Sequence, residues 1–225
     1  MEARKRGGIE MLALDHIVIA GRNAEDDSIA YNRQFAVKAV KGGEHDNWGT
    51  YNYLAYFSNQ AYIEWLGVKD FDKASKSDNP LIKHLVYMLN QNETGPFQFA
   101  LRTDRMDDYV QHFKDNDIPF DGPYSGNRER PDGTHLSWRM LFPKYEISEG
   151  MLPFLIEWNN PTGGPYGQSI ANPQVITKVN YSGVDKDTFS AIYQLKNKLS
   201  IKNQFTLQNS KISFNKSGKL SFSLI

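Results

Sequence analysis

The sequence predicts an α+β fold made of two copies of a strand–helix–three-strand unit, followed by a third, shorter αβ unit. Three observations carry that expectation. The stretch Tyr62-Ile63-Glu64-Trp65-Leu66-Gly67 returns as Leu155-Ile156-Glu157-Trp158-Asn159-Asn160, each copy a short strand with one carboxylate among large apolar residues. The same order of alternating and helical apolar periodicity precedes each copy. A proline- and glycine-rich stretch then separates the second copy from a strand–helix–strand remainder.

The elements follow in order. Residues 12–20 read as a strand, rich in Leu, Ile and Val and interrupted by Asp15 and His16. Alternation puts Ile17 and Ile19 on one face and Leu14, His16 and Val18 on the other. Asn23 and the acidic residues after it suit a helix N-terminus, and the helix runs to about Gln34. Residues 37–40 form a short strand and 41–50 a glycine-rich loop carrying His45. Residues 51–57 and 61–66 alternate like a hairpin. A charged connector, 68–94, carries a helix over 80–89. The pattern then restarts with a strand at 97–101, a helix at 106–116, a loop at 124–133 and a strand at 136–142. A shift of 82 positions lays His16 on Gln98. Glu64 and Glu157 lie 93 apart, so about eleven extra residues are assigned to the loop at 124–133. Residues 1–10 read as a tail, with Met11 an alternative start. The main domain is 11–160, with modules 12–67 and 95–160. Residues 161–173 are the linker and 174–225 the C-terminal half-module, whose strand faces hold no His or Glu.

Composition narrows the function. The 225 residues contain 26 Lys plus Arg and 26 Asp plus Glu, so no net field favours nucleic acid or an anionic membrane. No apolar run approaches the roughly 20 residues that span a bilayer, and no signal peptide is legible; a cytoplasmic address is the expectation. The chain has no cysteine, so any metal site must draw on His, carboxylate, amide or tyrosine.

A carboxylate in the middle of an apolar strand is costly unless it is paired, hydrogen-bonded or bound to a metal. Glu64 and Glu157 together suggest a duplicated module that brings two acids into one cleft. The competing reading pairs them with Arg128, Arg130 or Arg139. His16 reads either as a ligand or as a buried, hydrogen-bonded histidine beside Asp15. His45 is a candidate acid–base group or oxyanion donor at the cleft mouth. Arg128 and Arg130 are a candidate fork for a ligand carboxylate or phosphate, and Trp48 and Trp138 are core or cleft wall.

These features resemble the glyoxalase-like branch of the vicinal oxygen chelate superfamily over about residues 12–160. The matching residues are Leu14-Asp15-His16-Ile17-Val18-Ile19-Ala20, Gly42-Gly43-Glu44-His45 leading to Gly49-Thr50-Tyr51-Asn52, and Tyr62-Ile63-Glu64. In the second module they are Arg130-Pro131-Asp132-Gly133, Leu136, Trp138, and Leu152-Pro153-Phe154-Leu155-Ile156-Glu157-Trp158. The resemblance implies paired βαβββ modules closing into a half-barrel cleft. It also implies a divalent metal (nickel, cobalt, zinc, manganese or iron) on His16, Glu64, Gln98 and Glu157. A metal-assisted lyase, isomerase or dioxygenase follows, with Glu157 or Glu64 shuttling a proton and Asn52, Arg128, Arg130 and Trp138 near the substrate. The alternative is a metal-free drug- or metabolite-binding protein of the resistance type. The partner is a small molecule in either case, and a homodimer is expected, with residues 172–225 the candidate surface.

Overall fold

Residues Ala13–Ala20 are buried along their whole length, which places this strand, β1, at the centre of the molecule. The computed structural model describes residues 12–129, 133, 135–159, 170–195, 203–216 and 218–225; the tail with Met11, Arg130 and most of the linker lie outside the described residues. After β1 come α1 (Ala24–Phe35), β2 (Val40–His45), β3 (Thr50–Tyr56) and β4 (Tyr62–Val68). The connector carries α2 (Phe71–Ser75) and α3 (Pro80–Asn90). The second module is β5 (Gly95–Arg102), α4 (Met106–Asp115), β6 (Phe120–Glu129), β7 (His135–Pro143) and β8 (Phe154–Trp158). The last unit is β9 (Ile176–Tyr181), α5 (Lys186–Tyr193), β10 (Gln204–Thr206), β11 (Lys211–Phe214) and β12 (Ser221–Leu224).

The first eight strands form one curled half-barrel sheet in the order β2-β3-β4-β1-β5-β8-β7-β6. In each module the first strand runs parallel to the last, and the modules join where β1 meets β5 antiparallel. The last four strands form a second sheet, β10-β11-β9-β12. There β9 lies parallel to β11 as β1 does to β4, and β12 pairs antiparallel with β9 as β5 does with β1. Among the described residues this unit matches a module without a counterpart of β2.

Two expected loops are largely strands. Residues 41–45 belong to β2, because Gly42 lets that strand press against β3: a Cβ there would sit 2.2 Å from Asn52 Oδ1 and 2.8 Å from Leu54. Most of the expected loop at 124–133 pairs with β7 as part of β6. The extra length of the second module is thus divided between a longer β6–β7 hairpin and the connection from β7 to β8.

The convex side of the sheet is closed by α1, α4 and the third unit. Leu14, Ile17, Phe99 and Leu101 share one continuous core with Val179, Tyr181, Phe189, Tyr193, Phe205 and Ile212. Phe205, Leu207 and Ile212 of the third unit are buried within this chain. Asn209, in the turn between β10 and β11, accepts from Leu14 N at 2.8 Å and donates to Leu14 O at 2.9 Å. Those bonds clamp β1 at the register shift that falls between Leu14 and His16.

Candidate functional site

That shift carries the local chemistry. A strand normally sends neighbouring side chains to opposite faces. Here the irregularity brings the Asp15 carboxylate beside the His16 ring, Oδ1 lying 2.7 Å from Nδ1. Asp15 Oδ2 accepts from Trp158 Nε1 at 3.0 Å and lies 3.6 Å from Arg102 Nη1. On its other side, His16 Nε2 is 3.5 Å from Glu64 Oε2. Glu64 Oε1 accepts from Asn52 Nδ2 at 2.5 Å, and Asn52 Oδ1 accepts from Gly43 N at 2.8 Å. The line Asp15–His16–Glu64–Asn52 is buried throughout. The imidazole stacks on Tyr62, with ring centroids 4.4 Å apart, and meets the edge of Phe154.

His16, Glu64 and Asn52 of this line form the polar floor of a concave cavity of about 60 Å³. Its walls include Trp48, Trp138 and Trp158, with Leu54, Leu66, Met140 and Ile156, while Leu81 and Ile82 of α3 close one end. The Trp138 and Trp158 rings lie 5.2 Å apart. His45 stands at the mouth, its Nδ1 3.0 Å from Thr50 Oγ1 and its ring 5.5 Å from Trp48.

Four ligands were expected to converge, and two do. His16 and Glu64 come together. Glu157 does not, because β8 presents Phe154, Ile156 and Trp158 to the cleft and turns Glu157 to the convex side. There its carboxylate accepts from Met106 N at 3.1 Å and from Arg139 Nε at 3.0 Å, with a further bond from Arg139 Nη2. The start of α4 has no side-chain cap of its own, so Glu157 takes that place and also matches the helix dipole. Gln98 is buried but spent elsewhere: its amide donates to the Tyr145 hydroxyl at 3.0 Å and Leu152 O at 3.1 Å, and accepts from Phe99 N. Asn52 and Trp138 line the cavity as expected. Arg128 has its backbone in β6 opposite Leu136, its side chain lying outside what is described, as does all of Arg130.

The donors do not fit the four-ligand metal site that the resemblance implied. His16 Nε2 and Glu64 Oε2 supply two, and the facing wall is Phe154, Ile156 and Met140. Among the described residues no group of three or more His, Asp or Glu is placed to hold an ion.

Sequence reasoning gave a buried His16 beside Asp15 only as the alternative to a ligand, and it missed Trp158 as the hydrogen-bond donor to Asp15 and the contribution of α3. Strict alternation sends Asp15 and His16 to opposite faces, and the bulge turns Asp15 toward His16. The apolar face at Leu81 and Leu85 was legible, but nothing in it says that the helix covers the cleft rather than the back of the sheet.

Two βαβββ modules paired edge to edge around one cleft define the vicinal oxygen chelate class. The family model described as Glyoxalase-like domain matches residues 14–196, and the chain belongs to that family. No curated protein matches it. Among solved structures, a hypothetical protein from Staphylococcus aureus is similar at a TM-score of 0.71 and 19% identity, covering 93% of this chain and 88% of its own. Methylmalonyl-CoA epimerase in complex with methylmalonyl-CoA and NH4+ has a TM-score of 0.50 at 17% identity, covering 69% of this chain and 100% of its own. The epimerase from Mycobacterium tuberculosis has a TM-score of 0.49 at 18% identity, covering 66% of this chain and 90% of its own. At these identities the likeness is one of fold.

Proposed function

We propose that this chain is a small-molecule isomerase or lyase that moves a proton at a carbon next to a carbonyl, using His16 and Glu64 as an acid–base pair. The observation that carries the reading is the buried Asp15–His16–Glu64 line opening into an otherwise apolar cavity. Asp15 accepts the Nδ1 proton and so aims Nε2 at Glu64 and the cavity. In the reaction one of the pair acts as the acid and the other as the base. The base removes the C–H proton, the acid delivers its own to the carbonyl oxygen, and the enol so formed takes a proton back at carbon while its O–H is lost to the same pair. Asn52 anchors Glu64, and the tryptophan walls keep water from competing.

The test is incorporation of solvent deuterium into a panel of enolisable carbonyl compounds, followed by NMR. Exchange at one compound by the wild type, lost in Glu64→Gln and His16→Gln with the fold intact, supports the reading. The three tryptophan walls also favour a protein that binds without turnover. Saturable binding with no exchange in any compound would leave that second reading standing and remove the first. The purified protein's metal content belongs in the same experiment, because a stoichiometric ion lost in Glu64→Gln would return the metal-assisted version.

A further inference from the structure

His45 lines two cavities, the inner one above the Asp15–His16–Glu64 line and an outer groove of about 600 Å³ between the β2–β3 turn and α2. The inner cavity, at about 60 Å³, has room for about two waters' share of liquid volume. Pockets that bind whole small molecules run from about 300 to 1,000 Å³. The inner cavity therefore accommodates only the reacting end of a substrate, and the outer groove has the volume for the rest.

We propose that the two form one divided site for a polyhydroxylated carbonyl compound, an open-chain sugar. Its carbonyl end lies at His16 and Glu64, and its hydroxylated chain passes His45 into the groove. This rests on the proton-transfer reading above. The groove's chemistry selects the chain. Asp46, Asp70 and Asp72 face the same space as Lys69 and Lys73, with Thr50 and His45 at the inner end. Lys69 is ion-paired with Glu44, so its charge is already matched. Carboxylates repel an anionic tail and lysines a cationic one, whereas a hydroxyl donates to the first and accepts from the second. The charged side chains along the lining disfavour a purely alkyl tail. At the rim Phe71 is 46% exposed, a flat surface suited to the C–H side of a sugar chain. The floor is preorganised: Gly49, at φ +64°, accepts from Lys69 N and Asp70 N at 2.8 and 3.0 Å. A Cβ there would lie 2.4 Å from Asp70 O.

The indole N–H signals of the four tryptophans report on this directly. Trp48, Trp138 and Trp158 line the inner cavity, and Trp65, buried in the convex-side core, is the internal control. The full chain is titrated with hydroxyacetone, L-erythrulose and D-xylulose, which share a hydroxymethyl ketone head and differ in the hydroxylated chain. Affinity should rise roughly tenfold from the first to the last, with Trp158 shifting and Trp65 still. Lys73→Ala and Asp72→Asn should bring the xylulose-to-hydroxyacetone affinity ratio close to one. Equal affinity for all three, with Trp158 shifting, overturns the divided site and leaves proton transfer intact. No shift of any cavity tryptophan with any of the three overturns the sugar proposal, while the proton-transfer reading stands or falls on its own exchange test.

Discussion

His16 sits between two carboxylates, and its usefulness depends on the one that never faces the cavity. Asp15 receives the Nδ1 bond and is itself held by Trp158 Nε1. Asp15→Asn keeps the shape but can offer an N–H where an acceptor is needed. Exchange of substrate protons should fall roughly a hundredfold, as for loss of an oriented acid–base group, with the indole shifts on ligand addition retained. An unchanged rate and pH profile would make Asp15 structural only. Glu157 is the contrasting case. Glu157→Gln weakens the bonds to Arg139 and to the start of α4, and should lower stability by about 1–3 kcal/mol. Chemical denaturation measures the loss, and exchange activity should stay within twofold of wild type.

At the scale of elements, α3 sets the end of the cavity, and it is pinned by a buried network. The Tyr145 hydroxyl, 2.9 Å from His84 Nδ1, also takes the Gln98 amide. Burial lowers His84 from its ordinary 6.5 to about 4 and raises Tyr145, so a neutral histidine accepts from an intact hydroxyl. A depressed folded-state pKa means the unfolded chain binds the proton first. The contribution is complete above about pH 6.5 and declines as pH falls toward 4. The total loss is about 3 kcal/mol at most. His84→Gln should flatten that limb of a stability–pH curve; an unaltered slope would place the titration elsewhere. Gly42 matters to β2 in the same way. Gly42→Ala must displace Asn52, which braces Glu64, so exchange should drop while the overall fold persists.

For the whole molecule, the third unit lies against the back of β1 and β5, and among the described residues it contributes no side chain to the inner cavity. It acts on the site through Asn209, which holds β1 at its irregular turn of register. Truncation after Pro173 would bare Leu14, Ile17, Phe99 and Leu101, all fully buried, and the product should be insoluble. Asn209→Ala is the finer experiment. It leaves two backbone groups of Leu14 without that partner and should cost about 1–3 kcal/mol, with exchange slowed as Asp15 and His16 lose their setting. A soluble, monomeric truncated chain with normal exchange would show that the first two modules need no cover.

Periodicity and the repeated Glu-Trp strand made the two modules, their helices, and His16 and Glu64 legible in the sequence. Those depend on local alternation, which each segment carries by itself. Which face of a strand looks inward does not. The Ile-Glu-Trp triplets of β4 and β8 are identical, yet Glu64 faces the cavity and Glu157 the helices. A one-residue change of phase moves a strand's whole side-chain set to the other face. The phase is chosen by what waits on each side: His16 and Asn52 for Glu64, Arg139 and the start of α4 for Glu157. The pairing of Asp15 with His16 was legible only as one of two alternatives, because the bulge that brings it about is set by the neighbouring strand and by Asn209, 195 positions beyond Leu14 along the chain. The candidate site residues His16 and Glu64 were named by the sequence; the face that each strand turns to the cleft was decided by long-range partners that only the folded chain brings together.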